Sequence, residues 1–209
     1  MSRVVLVRHG ETIWHAENRY AGRSDIALSD QGVIQAERLA LWAAGAGLRA
    51  VWSSPLSRAL RTATPAAVAS GTVVQIDPRL IEVDFGRGEG RTEAEMRTEF
   101  PEERTAFVRA PATNWLPGGE DPAIAAHRAM ESLRELARGE GRVLVVTHNT
   151  LLRLILCEVF GVPLDRYRTV FPSLKNGTLT ELDFSKQGIG LLTFNVPLEK
   201  DWQESPHGL

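Results

Sequence analysis

Short apolar runs alternate along the chain with longer stretches in which apolar residues recur every three or four positions. The runs are too short for helices and too apolar for surface loops, so they predict buried strands of a mostly parallel sheet. The longer stretches predict amphipathic helices, and the alternation predicts an α/β protein with a three-layer α/β/α sandwich. The predicted strands are 4–7, 50–52, 73–76 and 143–146, followed by two edge strands at 179–184 and 191–196.

Capping and turn residues set the ends of the predicted helices. Ser29 or Asp30 can cap a helix that runs to about residue 44, after which Gly45 and Gly47 end it. Pro55 suits the first position of a helix that continues to about residue 69. The remaining predicted helices are 93–100, 102–109, 121–138 and one that Asn149 caps and that runs to about 160.

Length and composition predict one domain. The chain has 209 residues, of which 43% are hydrophobic and 24% charged, as expected for a globular α/β domain with a sizeable core. We expect the domain to span 1–196. Residues 86–120 are rich in Gly, Pro, Arg and Glu and predict a lid or insertion over a site. Residues 197–209 read as a poorly ordered C-terminal tail.

Charge and cysteine content exclude several classes of protein. The net charge of −2 provides no global field that would attract nucleic acid or an acidic membrane. The longest apolar stretches reach about half of a membrane span, so no transmembrane helix is expected. Cys157 is the only cysteine, which excludes an internal disulfide and a cysteine-based zinc site. With a core strand beginning near residue 3, no signal peptide and a cytoplasmic location are expected.

Candidate chemistry starts where the first strand ends, at Arg8-His9-Gly10-Glu11-Thr12. Ligands of open α/β sheets bind in the crevice at the carboxyl ends of the strands. The planar guanidinium of Arg8 matches phosphate oxygens, and an imidazole titrates near neutrality. Gly10 allows the backbone to approach closely. This combination predicts phosphoryl chemistry.

Two arginines follow the second strand. Arg58 and Arg61 share one helical face near a helix N-terminus, which is itself a favourable place for an anion. The position favours phosphate contact by Arg58. Arg61 is a second candidate, although a solvated surface position is slightly favoured for it.

The ends of the third and fourth strands add acids and a second histidine. Glu82 and Asp84 fall on one side of an extended segment, where either could donate a proton or be a surface acid in a turn. His148 lies at the junction of a buried strand and a helix, as His9 follows the first strand. A lone histidine at such a junction is usually structural, but the convergence of these signals on one crevice favours a site.

Taken together, five segments resemble the histidine phosphatase, or phosphoglycerate mutase-like, superfamily over nearly the whole chain. They are RHGET at 8–12, SDIALSDQGVIQA at 24–36, SSPLSRALRTA at 53–63, LIEVDFGRGEG at 80–90 and VVTHNT at 145–150. The resemblance implies that His9 is the nucleophile that becomes phosphohistidine and that His148 is the second catalytic histidine. It also implies that Arg8 and Arg58 bind phosphate and that Glu82 is the acid/base.

The chain departs from the family pattern at several pocket positions. His15 stands where many relatives have an asparagine that contacts the phosphate, and Ala21 where many have a glutamine. Asn18 or His15 itself could supply the missing contact, so both stay candidates for substrate binding. Asn149 follows His148 where a glycine is more usual.

The leading interpretation is a phosphomonoesterase of the histidine acid phosphatase type, which hydrolyses a small phosphorylated metabolite. Two arginines, a nucleophile and an acid meet the needs of that reaction, so no metal or other cofactor is expected. A cofactor-dependent phosphoglycerate mutase is the alternative, although residues 83–90 look more like the phosphatase branch. A non-catalytic phosphate-binding module is a third interpretation, but it would need no nucleophile and acid together. The substrate and the assembly, including a homodimer, stay open.

Overall fold

A computed structural model describes residues 2–198, and its strands form one six-stranded sheet. The strands are β1 (Ser2–Arg8), β2 (Leu48–Ser53), β3 (Val74–Ile76), β4 (Gly141–Thr147), β5 (Leu179–Ser185) and β6 (Gly188–Val196). The helices are α1 (Asp30–Gly45), α2 (Ser57–Ala69), α3 (Glu93–Glu99), α4 (Pro101–Arg109), α5 (Pro122–Leu136), α6 (Asn149–Phe160) and α7 (Tyr167–Val170). The predicted α/β class is confirmed.

The strand order is β3-β2-β4-β1-β5-β6. The first four of these strands are parallel to one another, and β5 and β6 are antiparallel to their neighbours. The mostly parallel sheet was therefore predicted correctly, but the prediction of β5 as an edge strand is wrong. β5 pairs with both β1 and β6, and its Leu182 is fully buried, so only β6 is the edge on that side.

Successive side chains of the central strands point to opposite faces of the sheet. Val4 and Leu6 join a core cluster with α5 and α6, whereas Val5 and Val7 join a second cluster with α1 and α2. Both faces of the sheet are therefore covered by helices, which confirms the three-layer sandwich and explains why the central strands are continuously apolar.

Two predicted helix starts differ from the structure. α2 begins at Ser57 rather than at Pro55, because the Ser54–Pro55 turn keeps Leu56 extended and Ser54 Oγ accepts the Leu56 N–H at 3.3 Å. Asn149 does not cap α6. His148 occupies the N-cap position without a side-chain cap bond, because the carboxylate of Glu82 accepts the first N–H groups of the helix instead. The predicted cap of α1 is confirmed, since Ser29 accepts the N–H of Gly32.

Residues 86–120 fold around a small hydrophobic cluster of their own, which includes the side chains of Phe85, Met96, Phe100, Phe107 and Leu116. Tyr20 packs against this cluster from the loop after β1. That arrangement places the segment beside the carboxyl ends of the strands, and its role as a lid stays a prediction. The predicted start of the tail at residue 197 is wrong for Leu198, which is 6% exposed and packs in the core. The rest of the predicted tail, 199–209, lies outside the described residues.

Gly10 and Gly32 allow the loop after β1 to lie directly on the first turn of α1. A Cβ on Gly10 would stand 2.5 Å from the carbonyl oxygen of Gly32, and a Cβ on Gly32 would collide with the carbonyl of Glu11. The close approach expected of Gly10 is therefore confirmed. Among residues 2–198, no helix combines the length and the apolar content needed to cross a membrane.

Candidate active site

A cavity of about 360 Å³ opens at the carboxyl ends of β1 and β4. Arg8 and His9 line it from the end of β1, and Asn149 and Thr150 line it from the start of α6. Glu82 closes another side from the loop that follows β3. The structure thus gathers residues that are far apart in the sequence into one small volume.

His9 continues the sheet ladder, because its backbone N–H donates to the Thr147 carbonyl at 2.9 Å. Its Nδ1 lies 2.7 Å from the Gly10 carbonyl oxygen, which can only accept, so Nδ1 carries the proton. Its Nε2 accepts a hydrogen bond from Arg58 Nε at 3.2 Å. Burial, reinforced by the charges of Arg58 and Arg8, holds the pKa of His9 well below its ordinary value. His9 is therefore neutral near pH 7, with its lone pair on Nε2.

Arg58 is fully buried directly beside His9. Its Nη atoms donate to the carbonyl oxygens of Gly22 and Ser24, each at 2.6 Å, so the loop after the 3₁₀ turn fixes the guanidinium plane. Burial lowers the pKa of Arg58, although this guanidinium stays charged near neutrality. The arrangement places a fixed positive charge against the imidazole nitrogen that holds the lone pair.

Glu89 holds the loop that positions Arg58. Its carboxylate accepts hydrogen bonds from the backbone N–H groups of Gly22, Arg23 and Ser24 and from the Ser24 hydroxyl. It also accepts the N–H of Phe85, at the start of the 85–120 segment. Glu89 therefore ties this segment to the loop whose carbonyls orient Arg58.

His148 is fully buried, with its ring centroid 5.1 Å from that of His9. Its Nε2 lies 2.7 Å from Ser54 Oγ, which already accepts the N–H of Leu56. Within residues 2–198, His148 Nε2 is the only acceptor for the Ser54 hydroxyl proton, so the proton of His148 belongs on Nδ1. That Nδ1 is buried without a partner in the described structure. A buried donor of this kind is a group that a phosphoryl oxygen can satisfy.

Glu82 is 3% exposed and lines the cavity. Burial raises the pKa of its carboxyl group, and three backbone N–H groups oppose the shift without cancelling it. Oε1 accepts from Val83 and Leu151, whereas Oε2 accepts only from Thr150, all at 2.9 Å. Oε2 therefore has the greater capacity to carry a proton.

Arg8 and His15 meet at the mouth of the site. Arg8 donates to the Leu174 carbonyl at 2.6 Å, and another of its Nη atoms lies 2.7 Å from His15 Nε2. His15 Nδ1 lies beside the Thr12 N–H and its Nε2 beside Arg8, so in either neutral tautomer one ring nitrogen meets a second donor. With the proton on Nε2, an anionic oxygen that accepts from both His15 and Arg8 would relieve this conflict.

Of the two weaker candidates for substrate binding, Asn18 lines the cavity and Arg61 does not. Asn18 lines the cavity at its exposed rim, where it ends a 3₁₀ turn with φ of 54°. Arg61 does not reach the cavity, so its predicted substrate contact is not supported. It lies one turn further along α2 than Arg58 and is exposed. Asp84 also stays outside the cavity, where its carboxylate accepts the N–H of Gly86.

Several residues in and around the cavity were not predicted from the sequence. Ser54 stood in a quoted segment but was treated as part of a turn, and only the fold shows that it binds His148. Thr62 accepts the Gly10 N–H at 2.9 Å from the buried face of α2. Arg153 and Arg168 line the cavity, but in the sequence Arg153 lies in an apolar helical run and Arg168 in a short, polar segment.

Residues 2–198 contain no group of three or more side chains that could hold a metal ion.

Comparisons with known proteins relate the chain to one superfamily. The profile of the histidine phosphatase superfamily (branch 1) matches residues 4–197. A probable phosphoglycerate mutase, GpmB, of Escherichia fergusonii is 34% identical over 189 residues, which cover 89% of this chain and 86% of the relative. Phosphoserine phosphatase 1 of Hydrogenobacter thermophilus is 33% identical, with 80% of each chain covered. Among solved structures, Bacillus stearothermophilus YhfR superimposes with a TM-score of 0.88 at 28% identity, covering 95% of this chain and all of its own.

Proposed function

The chain belongs to the histidine phosphatase superfamily, and on that premise we propose that it is a metal-independent phosphatase that hydrolyses a small phosphomonoester. The observation that carries the proposal is the state of His9. It is a neutral imidazole whose lone-pair nitrogen faces a buried guanidinium, and it lines the same cavity as a carboxyl group with a raised pKa.

The first step forms a bond between His9 Nε2 and phosphorus while the bond from phosphorus to the leaving oxygen breaks. The Arg58 N–H that pairs with the Nε2 lone pair turns to a phosphoryl oxygen in this step. Arg8 and Arg58 stabilise the charge on the phosphoryl oxygens, and His148 Nδ1 donates to one of them. The Nδ1–H bond to the Gly10 carbonyl keeps the tautomer correct and stabilises the positive charge that develops on the ring.

Glu82 supplies the proton that the leaving alkoxide needs, because burial keeps its carboxyl group protonated to higher pH than usual. The resulting carboxylate then takes a proton from water as the water oxygen attacks phosphorus. This second step breaks the bond to His9, releases inorganic phosphate and restores both residues.

His15 replaces the asparagine amide of the family pattern in this proposal. Its Nε2 donates to a phosphoryl oxygen next to Arg8, with which it already shares the mouth of the site. Asn18, being at the exposed rim, is less well placed for that contact.

The test is chemical trapping of the phosphoenzyme. After brief mixing with ³²P-labelled phenyl phosphate and quenching in alkali, in which phosphohistidine survives, the wild-type protein should carry label. His9→Ala should carry none and should lose turnover, and the exposed His127→Ala should match the wild type. Turnover without any trapped label, or label retained in His9→Ala, would rule out His9 as the nucleophile.

A mutase is the second candidate function, because the similarity to the E. fergusonii protein points to it. The same phosphohistidine would then pass its phosphoryl group to an alcohol rather than to water. Incubation with 3-phosphoglycerate and 2,3-bisphosphoglycerate distinguishes the two, since a phosphatase releases inorganic phosphate and a mutase forms 2-phosphoglycerate. If the protein binds phosphate and does neither, it is a binding module.

A further inference from the structure

Two guanidiniums in the cavity have no obvious task in the chemistry described above. Arg153, on α6, and Arg168, on α7, line the same cavity as His9 and Glu82. Among residues 2–198, no carboxylate lies within salt-bridge distance of either one. Neighbouring cations that are partly buried and lack a counter-ion repel each other, so the cavity favours an anion at this place.

Arg19 provides a contrast within the same cavity. It also lines the wall, but its guanidinium is 2.7 Å from the Glu17 carboxylate and 2.9 Å from that of Glu95. Its charge is therefore balanced by the protein.

Arg153 and Arg168 have no such carboxylate partner among residues 2–198. Burial opposes the charge of Arg168, but Tyr167 and Tyr20 raise its pKa, so the guanidinium stays charged and available to an anion.

Both side chains are held in place by uncharged groups. Arg153 donates from one Nη to the Pro172 carbonyl at 2.9 Å, while its Nε is buried without a partner. Arg168 donates from Nε to the Tyr167 hydroxyl at 3.0 Å, and its guanidinium lies 4.5 Å from the centre of the Phe107 ring. Burial, together with the charge of Arg168, lowers the pKa of Arg153. This costs free energy in the empty site and would be offset by a bound anion.

Arg153 and Arg168 share one side of the cavity, next to α7. An Nη of Arg153 is held at the Pro172 carbonyl, just after α7, and Arg168 stands on α7 itself. The cavity volume of about 360 Å³ falls within the range of roughly 300–1,000 Å³ typical of pockets that hold whole small molecules. The site therefore has room for more than the transferred phosphoryl group.

We propose that Arg153 and Arg168 bind a second anionic group of the substrate, so that this enzyme acts on phosphomonoesters that also carry a carboxylate or a second phosphate. The inference rests on the proposed phosphatase function and specifies its substrate class. A guanidinium binds a carboxylate or a phosphate in the same way, through paired N–H groups. Separate pairs of probe substrates therefore test the carboxylate and the second phosphate.

The test compares substrates that differ only in the second group. For a carboxylate, 3-phosphoglycerate is paired with glycerol 1-phosphate, in which an alcohol replaces the carboxylate. For a phosphate, fructose 1,6-bisphosphate is paired with fructose 1-phosphate and fructose 6-phosphate. In the wild type, one probe with two anionic groups should exceed its partner in kcat/KM by about tenfold or more, as a hydrogen bond to a charged group allows.

The variants Arg153→Gln and Arg168→Gln should abolish that preference and leave the rate with the partner that has one anionic group within about threefold of the wild type. Arg166→Gln is the matched control, because Arg166 is exposed and lies beside this segment without lining the cavity. It should keep the wild-type preference.

Two results would overturn the inference. The first is a wild type with no preference in either pair. The second is an equal loss on both members of a pair in Arg153→Gln and Arg168→Gln, which would assign these residues to the transferred phosphoryl group or to the fold. Titration calorimetry with 3-phosphoglycerate and glycerol 1-phosphate measures the same preference without turnover. Preferential binding by an inactive protein would refute the phosphatase and keep the second anion site.

Discussion

Arg58 donates a hydrogen bond from Nε to His9 Nε2 across 3.2 Å, so a fixed cation touches the nitrogen proposed to attack phosphorus. The contact keeps a proton off that nitrogen, because an imidazolium beside a buried guanidinium would add a second positive charge. In the proposed reaction, the same cation would also stabilise the phosphoryl oxygens. Arg58 would thus serve the nucleophile before the reaction and the transition state during it.

Arg58→Ala should therefore lower kcat/KM for phenyl phosphate by about 10²–10³-fold, the range for loss of one preorganised donor to a transition state. Arg61→Ala is the control from the same helix and should stay near the wild-type value, since Arg61 is exposed. Inhibition by vanadate, measured alongside, should weaken in the first variant only. A comparable loss in both variants would mean that Arg61 also contacts the phosphate.

Glu82→Gln should slow alkyl phosphates by about 10²–10⁴-fold and an activated aryl ester such as p-nitrophenyl phosphate far less. The reason is that an alkoxide needs a proton as it leaves, whereas p-nitrophenolate does not. Single-turnover rates with both esters measure the difference. Equal losses would make Glu82 a positioning residue, which its bonds to the first turn of α6 would also permit.

The stability of the fold should decrease as the pH falls below about 6.5, the pKa of histidine in an unfolded chain. Burial holds the pKa of His9 and His148 well below that value in the folded protein. Between the folded and unfolded pKa values the unfolded chain binds more protons, so the free energy of unfolding rises with pH. Each histidine contributes at most about 1.4 kcal/mol per pH unit.

Urea unfolding at pH 5, 6 and 7 measures this slope. His148→Gln should reduce the slope of the unfolding free energy against pH by up to about 1.4 kcal/mol per pH unit, the equivalent of one proton. This holds whatever the substitution does to the absolute stability. A slope unaffected by His148→Gln would show that this imidazole binds protons equally in the folded and unfolded states, against the expectation.

His15→Asn should keep most of the activity, because an amide can also donate to a phosphoryl oxygen beside Arg8. His15→Leu should raise KM and lower kcat/KM by about tenfold or more, the scale for a lost hydrogen bond to a charged group. Steady-state kinetics with phenyl phosphate compares the two. If both variants match the wild type, His15 makes no contact with the phosphate, and Asn18 becomes the residue to test.

The sequence predicted the layers of the fold and the meeting of the two histidines because both rest on local signals. The runs at 4–7 and 143–146 are unbroken and apolar, and a histidine directly follows each strand, at His9 and His148. The errors arose where the position of a segment depends on contacts with residues that are distant in the sequence. β5 looks like an edge strand until its partner on each side is known, and Leu198 belongs to the core through contacts that no local pattern shows.

The same limit applies to the electrostatics of the site. Nothing around Arg153 in the sequence distinguishes it from a surface arginine on an apolar helix, and its lack of a counter-ion is visible only in three dimensions. Arg19, by contrast, is neutralised by Glu95, which is 76 residues away along the chain. Charge balance is a property of the folded neighbourhood, so residue type alone could not assign these roles.

The in-register pairing of β1 with β4, which sets Arg8 opposite Thr147, determines how far apart the two imidazoles stand. Neighbouring strands lie about 4.8 Å apart, and the rings of His9 and His148 are separated by nearly the same distance, 5.1 Å. The paired backbones therefore set where the two histidines start, and contacts with Gly10 and Ser54 set how their rings lie. Exchanges in 86–120 that keep Glu89, which holds the loop around Arg58, should leave this gap unchanged. A scaffold of this kind can acquire new substrates without having to rebuild its chemistry.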